Sequence, residues 1–178
     1  MQGQWDSRRL VFIDEAGAKT NMTRLRGRSA KGQRVHDDTP LCHWSTTTMI
    51  SSIRRDGTTA CMTVEGATTS EVFRAYVEHL LLPTLRPGDI VVLDNLSPHK
   101  DKAALALVER AGAEVRFLPP YSPDFNPIEK MWSKVKALLR SAKARTEETL
   151  LAAIGSALSR VTAQDAEGWF ASCGYSII

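Results

Sequence analysis

Residues 118–132 read LPPYSPDFNPIEKMW, and the way this stretch folds governs how the rest of the chain is read. Four prolines, Pro119, Pro120, Pro123 and Pro127, lead into an amphipathic run with one carboxylate, Glu129, in its first turn. Pro119-Pro120 fixes φ and keeps the preceding residues out of the helical region, so the backbone upstream is extended. Asn126 suits an N-cap and Pro127 suits the first helical position, which puts Glu129 at the third. The helix start, and with it the direction of the Glu129 side chain, is thereby fixed to within a residue. Asn-x-x-Glu is also close to a capping box, in which Glu129 would bond only the backbone N–H of Asn126. Local sequence leaves those two readings level.

The helix surface favours the first. At about 100° per residue, Ile128, Met131, Trp132, Val135, Leu138, Leu139 and Ala142 form one broad apolar face. Ser133, Lys136, Arg140 and Lys143 fall within about 40° of Glu129. An acid that works beside a phosphate backbone is served by such a line of cations, whereas a cap has no use for one.

Outward from this helix the period of the apolar residues changes several times. Upstream, RRLVFID (8–14) predicts a strand ending at an acid, and 16–40 predicts an irregular basic arm. WSTTTMISSIR (44–54) and TTACMTVE (58–65) predict two strands joined by a hairpin at Asp56-Gly57. Thr68-x-x-Glu71 resembles a capping box for a helix that Pro83 and Pro87-Gly88 close. DIVVLD (89–94) is apolar on both faces, as a buried parallel strand is. Ser97-Pro98 suggests a cap and first turn for a helix ending at Gly112, before a short strand at 114–118. Two more helices are expected near 147–160 and 163–171. The order βββ-α-β-α-β-α-α predicts an α/β fold, a mixed central sheet of three antiparallel strands and then parallel ones, flanked by helices.

The chain has 178 residues, 43% hydrophobic and 24% charged, which suits one domain with a real core. No apolar run approaches membrane-spanning length, and MQGQWDSRRL shows no signal-peptide pattern, so a cytoplasmic protein is expected. Three cysteines, at 42, 61 and 173, have no metal-binding or disulfide spacing. The net charge is only +3, but its distribution is uneven. Arg24, Arg26, Arg28, Lys31 and Arg34 form one acid-free cluster, and Lys130, Lys134, Lys136, Arg140, Lys143 and Arg145 form another. Two such clusters suggest an anionic polymer as partner, against the plainer reading of solvated surface charge.

Two predicted strands finish in aspartate, Asp14 and Asp94. Strand C-termini in such a sheet border the ligand crevice. A poorly solvated carboxylate there is costly unless compensated, and a divalent cation compensates it well. The competing role for each is to cap a turn. If Asp14, Asp94 and Glu129 converge, they would hold Mg²⁺ or Mn²⁺, which favour oxygen ligands. Two ions about 3.5–4 Å apart can flank a scissile phosphodiester. His99 would donate to a phosphate or orient water, unless it is a surface or cap residue. Asn95 would orient Asp94, line the site or serve a turn. Glu15 adjoins Asp14, but consecutive side chains on a strand point to opposite faces, so at most one of the pair is expected to be a primary ligand unless the strand has ended there. Asp124 reads as a turn residue, and His36, Asp37, Asp38 and His43 have no metal spacing.

With these residues in place the chain resembles the catalytic half of a DDE transposase, and more narrowly a bacterial insertion-sequence transposase of the mariner-like superfamily. Four motifs carry the resemblance in series: FIDEAG (12–17), GRSAKGQRV (27–35), VVLDNLSPHK (91–100) and LPPYSPDFNPIEKMWSKVK (118–136). Between Asp94 and Glu129 lie 34 residues, as in the branch whose third acid is glutamate. The resemblance implies an RNase H-like fold, with residues 146–178 as C-terminal helices packed on a single catalytic domain. It implies Asp14, Asp94 and Glu129 as metal ligands, and Mg²⁺-dependent cleavage of transposon ends followed by transfer into target DNA. The basic arm with Arg28, Lys31 and Arg34 becomes a DNA contact, as do His99, Lys136 and Arg140, with Asn95 and Asn126 in support. Members that act alone carry an N-terminal helix-turn-helix module, and none is expected within these 178 residues. A separate or frameshift-joined DNA-binding module, a homodimer on DNA and a nucleoid-associated protein are the corresponding expectations. Another RNase H-like nuclease, or a non-catalytic DNA-binding protein derived from a transposase, are the alternatives.

Overall fold

A computed structural model describes residues 5–41 and 43–175, so Cys42 and the first four residues, where the absence of a leader pattern was read, lie outside the described residues. The strands are β1 (Leu10–Lys19), β2 (Thr46–Arg54), β3 (Thr59–Glu65), β4 (Ile90–Leu93) and β5 (Glu114–Phe117). The helices are α1 (Ser70–Tyr76), α2 (Lys102–Arg110), α3 (Pro127–Ala142), α4 (Glu147–Leu158) and α5 (Ala163–Ser172). One sheet runs in the order β3-β2-β1-β4-β5. β1–β2 and β2–β3 pair antiparallel, while β1–β4 and β4–β5 pair parallel. That is the mixed sheet expected from the element order.

β1 is buried on both faces and divides the core. Leu10, Phe12, Ala16 and Ala18 pack with Met131, Trp132, Val135 and Leu139 of α3 and Phe170 of α5. Val11 and Ile13 pack with Phe73 and Tyr76 of α1 and Val108 of α2. Burial of this many large side chains, each stabilising by roughly 1.5–3 kcal/mol, holds α3 on one face of the sheet and α1–α2 on the other. The hairpin forms at Gly57, whose φ of +84° suits glycine and where a Cβ would lie 2.8 Å from the Ala163 nitrogen at the start of α5.

Four local expectations are corrected. β1 does not stop at Asp14. It continues to Lys19 because Glu15–Lys19 pair with Ile50–Thr46 of β2, a long-range ladder that overrides the loop-like Ala-Gly-Ala. The cap of α1 is Thr69, whose side chain accepts from the Val72 nitrogen, one residue beyond Thr68. Ser97-Pro98 opens only a 3₁₀ turn, Pro98–Lys100, and α2 is capped by Asp101, which accepts from the Ala104 nitrogen. Three cations of the second basic cluster are engaged inside the fold. Lys134 pairs with Asp165 at 2.5 Å, Lys143 pairs with Asp37, and Arg145 donates to the carbonyls of Thr20 and Met22. Among the described residues, no helix is long and apolar enough to cross a membrane.

Candidate active site

The parallel β1–β4 ladder ends at Phe12–Val92, so Asp14 lies just past it, and Asp94 follows β4 directly. The proline stretch turns through Tyr121, at φ +56°, and the 3₁₀ turn Pro123–Phe125. It enters α3 with Pro127 in the first turn. Asp14, Asp94, Asn95, Asn126 and Glu129 thereby line one open crevice of about 420 Å³, with Leu96 and residues 118–123 forming the rest of its wall. Three acids from distant parts of the chain share a single cleft.

The capping alternative for Glu129 is not what forms. Asn126 makes no side-chain cap bond, and its own N–H goes to the Pro123 carbonyl at 2.9 Å. Its Oδ1 is buried without a hydrogen-bond donor among the described residues. Glu129 is exposed at the crevice.

The two aspartates differ electrostatically. Asp14 is 7% exposed, and burial, together with the charges of Glu129 and Asp94, pushes its pKa up to about 7. Burial also acts to raise Asp94, but hydrogen bonds from His99 and the Leu96 nitrogen outweigh it and hold its carboxyl below the usual range. His99 Nδ1 lies 2.5 Å from Asp94 Oδ1. Burial disfavours a charged His99 ring, yet the flanking Asp94 and Glu15 carboxylates prevail and hold its pKa up at about 9.

The residues expected to meet DNA divide into two groups. Arg28, Lys31 and Arg34 lie on the exposed arm between β1 and β2, and Lys136 and Arg140 are partly exposed on α3. Among the described residues no internal ion pair holds any of these five. His99 is different. It is fully buried, with Asp94 on one nitrogen and Glu15 3.4 Å from the other. Its ring is closed to a phosphate. Asn95 lines the crevice and donates to the Leu118 carbonyl at 2.6 Å, tying the end of β4 to the proline stretch. Tyr121, fully exposed on the crevice wall, was not anticipated, and nothing in the sequence marks it beyond its place among the prolines.

Among the described residues, no group of three His, Cys, Asp or Glu side chains stands close enough to hold an ion as it is. The donor chemistry nonetheless fits a hard divalent cation. Three carboxylates border the crevice, two of them raise the pKa of the third, and an amide oxygen without a partner sits beside them. A cation there would relieve that repulsion.

A mixed sheet with acids on β1, directly after β4 and at the head of α3 has the architecture of an RNase H-like core. Residues 9–151 match the family model of the DDE superfamily endonucleases, and the chain belongs to that family. Among solved structures it is similar to the Mos1 strand transfer complex, at 17% identity and a TM-score of 0.70, covering 94% of this chain and 52% of that one. It is also similar to the Mos1 transposase catalytic domain with raltegravir and Mg, at 14% identity and TM-score 0.64, covering 94% and 79%. The catalytic core of BIV integrase matches at 16% identity and TM-score 0.54, covering 85% and 81%. At these identities the likeness is one of fold. The chain spans about half the length of the Mos1 transposase in the strand transfer complex. No curated protein matches it.

Proposed function

We propose that this chain is the catalytic domain of a mariner-like insertion-sequence transposase, acting on DNA by metal-dependent strand cleavage and strand transfer. The observation that carries this reading is the meeting of Asp14, Asp94 and Glu129 at one crevice, in a chain whose DDE family match spans all three. These carboxylates would hold Mg²⁺ or Mn²⁺, most simply as two ions. Bound there, the ions would supply activation of a water or 3′-hydroxyl and neutralisation of charge on the phosphodiester.

The protein's own part is positional. Asp94 is held deprotonated and oriented by His99. Glu129 is aimed by the proline-locked helix start. Asp14 is kept poorly solvated, so that its charge develops best beside a cation. Arg28, Lys31 and Arg34 on the arm, with Lys136 and Arg140 on α3, would bind the phosphate backbone, and affinity for DNA would therefore fall steeply with salt. Transposon ends and target DNA are the proposed substrates. A homodimer would join two ends, and a separate or frameshift-joined N-terminal module would recognise them. Residues 1–178 act in this reading as one catalytic domain in a cytoplasmic, nucleoid-associated protein.

Plasmid nicking with Mg²⁺ or Mn²⁺ tests it. Wild type is expected to nick. Asp94→Asn and Glu129→Gln are expected to lose more than about 100-fold, since even outer partners of metal ligands cost about 10–100-fold. Equal behaviour of all three proteins would remove the enzymatic reading and favour a DNA-binding derivative.

A further inference from the structure

Glu15 is the residue that the catalytic reading leaves without work. The alternation of β1 turns it away from Asp14, toward the α1–α2 face shared by Val11 and Ile13. There its Oε1 is buried and, among the described residues, meets no hydrogen-bond donor. His99 Nε2 lies 3.4 Å from it, an ion-pair contact short of hydrogen-bond geometry. His99 is itself fully buried, and the Phe73 ring, 4.7 Å away, packs against it. A histidine in a core is ordinarily satisfied by backbone carbonyls or water. Here both nitrogens face carboxylates and neither meets a carbonyl.

The other end of this chain of contacts is Asp94. Its Oδ1 takes two partners, His99 Nδ1 at 2.5 Å and the Leu96 N–H at 3.0 Å. Among the described residues Oδ2 accepts no hydrogen bond. The carboxylate is thus gripped by one oxygen and free at the other.

We propose that Glu15 is a positioning residue: through His99 it fixes the rotation of the Asp94 carboxylate so that Oδ2 alone is offered to a metal ion. This rests on the catalytic reading above and adds a residue with no contact to DNA or ion. A metal-ligating carboxylate works best when its second oxygen is tied down, and the outer partner matters because it sets the geometry of the inner one. Phe73 keeps the ring from swinging, and Glu15 decides which way its edge points. The same placement accounts for two consecutive acids on one strand. Asp14 goes to the crevice, and Glu15 goes under it to support the second aspartate from behind.

The test uses Glu15→Ala and Glu15→Gln in the full chain. Mn²⁺ alone is titrated calorimetrically, and plasmid nicking is measured across Mn²⁺ concentrations. The His99 Nδ1–H resonance is followed in metal-free protein. Glu15→Ala is expected to weaken Mn²⁺ binding about 10–100-fold. Its kcat should fall at low Mn²⁺ and recover at high Mn²⁺, with KM for DNA unchanged and the His99 N–H exchanging faster with water. Glu15→Gln still reaches Nε2 and should stay within a few-fold of wild type on every measure, which also guards against a misfolded alanine variant.

If Glu15→Ala binds Mn²⁺ and nicks like wild type, the positioning role is wrong while the catalytic reading stands. If both variants are as inactive as Asp94→Asn and excess Mn²⁺ restores neither, Glu15 is a ligand and the proposal is again wrong. If wild type neither binds Mn²⁺ nor nicks, the catalytic reading itself fails and takes the ligand role of Asp94 with it. The metal-free His99 resonance then reports only whether Glu15 holds the ring.

Discussion

The two ends of the sheet treat a buried carboxylate in opposite ways. At the end where β4 begins, Asp89 is 3% exposed and surrounded by donors. Arg54 reaches it with both terminal nitrogens, at 3.2 and 2.5 Å, and the Arg86 N–H donates at 2.6 Å. At the end where β4 finishes, Asp14 is nearly as buried, yet no side-chain donor meets it among the described residues. The charges closest in effect are Glu129 and Asp94, both repulsive. The fold can therefore neutralise a buried acid when the acid is structural. At the crevice it does the reverse: Asp14 sits with two other acids, and the Glu15 N–H and the charge of His99 offset its burial and their repulsion only in part, which leaves most of the neutralising charge to come from outside.

This contrast breaks most visibly at Arg54. Arg54→Met keeps the aliphatic bulk but strands the buried charge of Asp89, and breaking a buried pair from one side costs about 3–5 kcal/mol. For a domain of this size that corresponds to a fall in Tm of roughly 10 °C, measurable by calorimetry. A fall of only a degree or two would mean that Asp89 is no more constrained than Asp14.

Asp14→Asn should do the opposite. The folded-state pKa of Asp14 is raised from 3.8 to about 7, so the unfolded chain releases this proton first. Metal-free wild type therefore loses stability as pH rises from about 4 to about 7. The asparagine variant has no such proton, and above pH 7 it should be more stable than wild type by about 2–4 kcal/mol. The difference should vanish near pH 4. A variant less stable than wild type at pH 8 would show that the Asp14 charge is already compensated within the fold.

Divalent cation should erase the contrast in wild type and only there. At ten times its Kd, Mg²⁺ would stabilise the folded protein by about 1.4 kcal/mol. The rise in Tm should be larger at pH 8 than at pH 6, because below about pH 7 the ion competes with a proton on Asp14. Asp14→Asn should show little or none. A rise equal at both pH values and in both proteins would place the ion elsewhere.

What the sequence revealed and what it hid follow from the range of the forces. Glu129 at the head of α3 was legible because proline stereochemistry acts on adjacent residues, and the two aspartates were legible because apolar runs end at them. The extension of β1 to Lys19 was hidden, since it depends on pairing with β2. Choosing Thr68 over Thr69, or Ser97 over Asp101, failed because more than one competent cap lies within a turn of each helix start. The burial of His99 leaves no trace in hydropathy. Lys134, Lys143 and Arg145 looked like free cations because their partners lie 31, 106 and more than 120 positions away.

Lys134 gives the mildest test. Its pair with Asp165 joins α3 to α5, but the two side chains are 30% and 27% exposed, a middle case between stranded Asp14 and enclosed Asp89. Hydrogen bonds from Lys134 and from Thr162 hold the Asp165 pKa down at about 2, so whatever the pair contributes is present above about pH 4 and lost as pH falls toward 2. Water and salt screen it, and such pairs contribute about 0–1 kcal/mol. Lys134→Met should lower Tm by at most about 3 °C at pH 7, and by less in 1 M NaCl, because Asp165 still accepts from the Thr162 backbone and hydroxyl and keeps α5 capped. A loss rivalling that of Arg54→Met would mean that exposure does not set the scale of these pairs, and the argument from burial that separates the two ends of the sheet would fail with it.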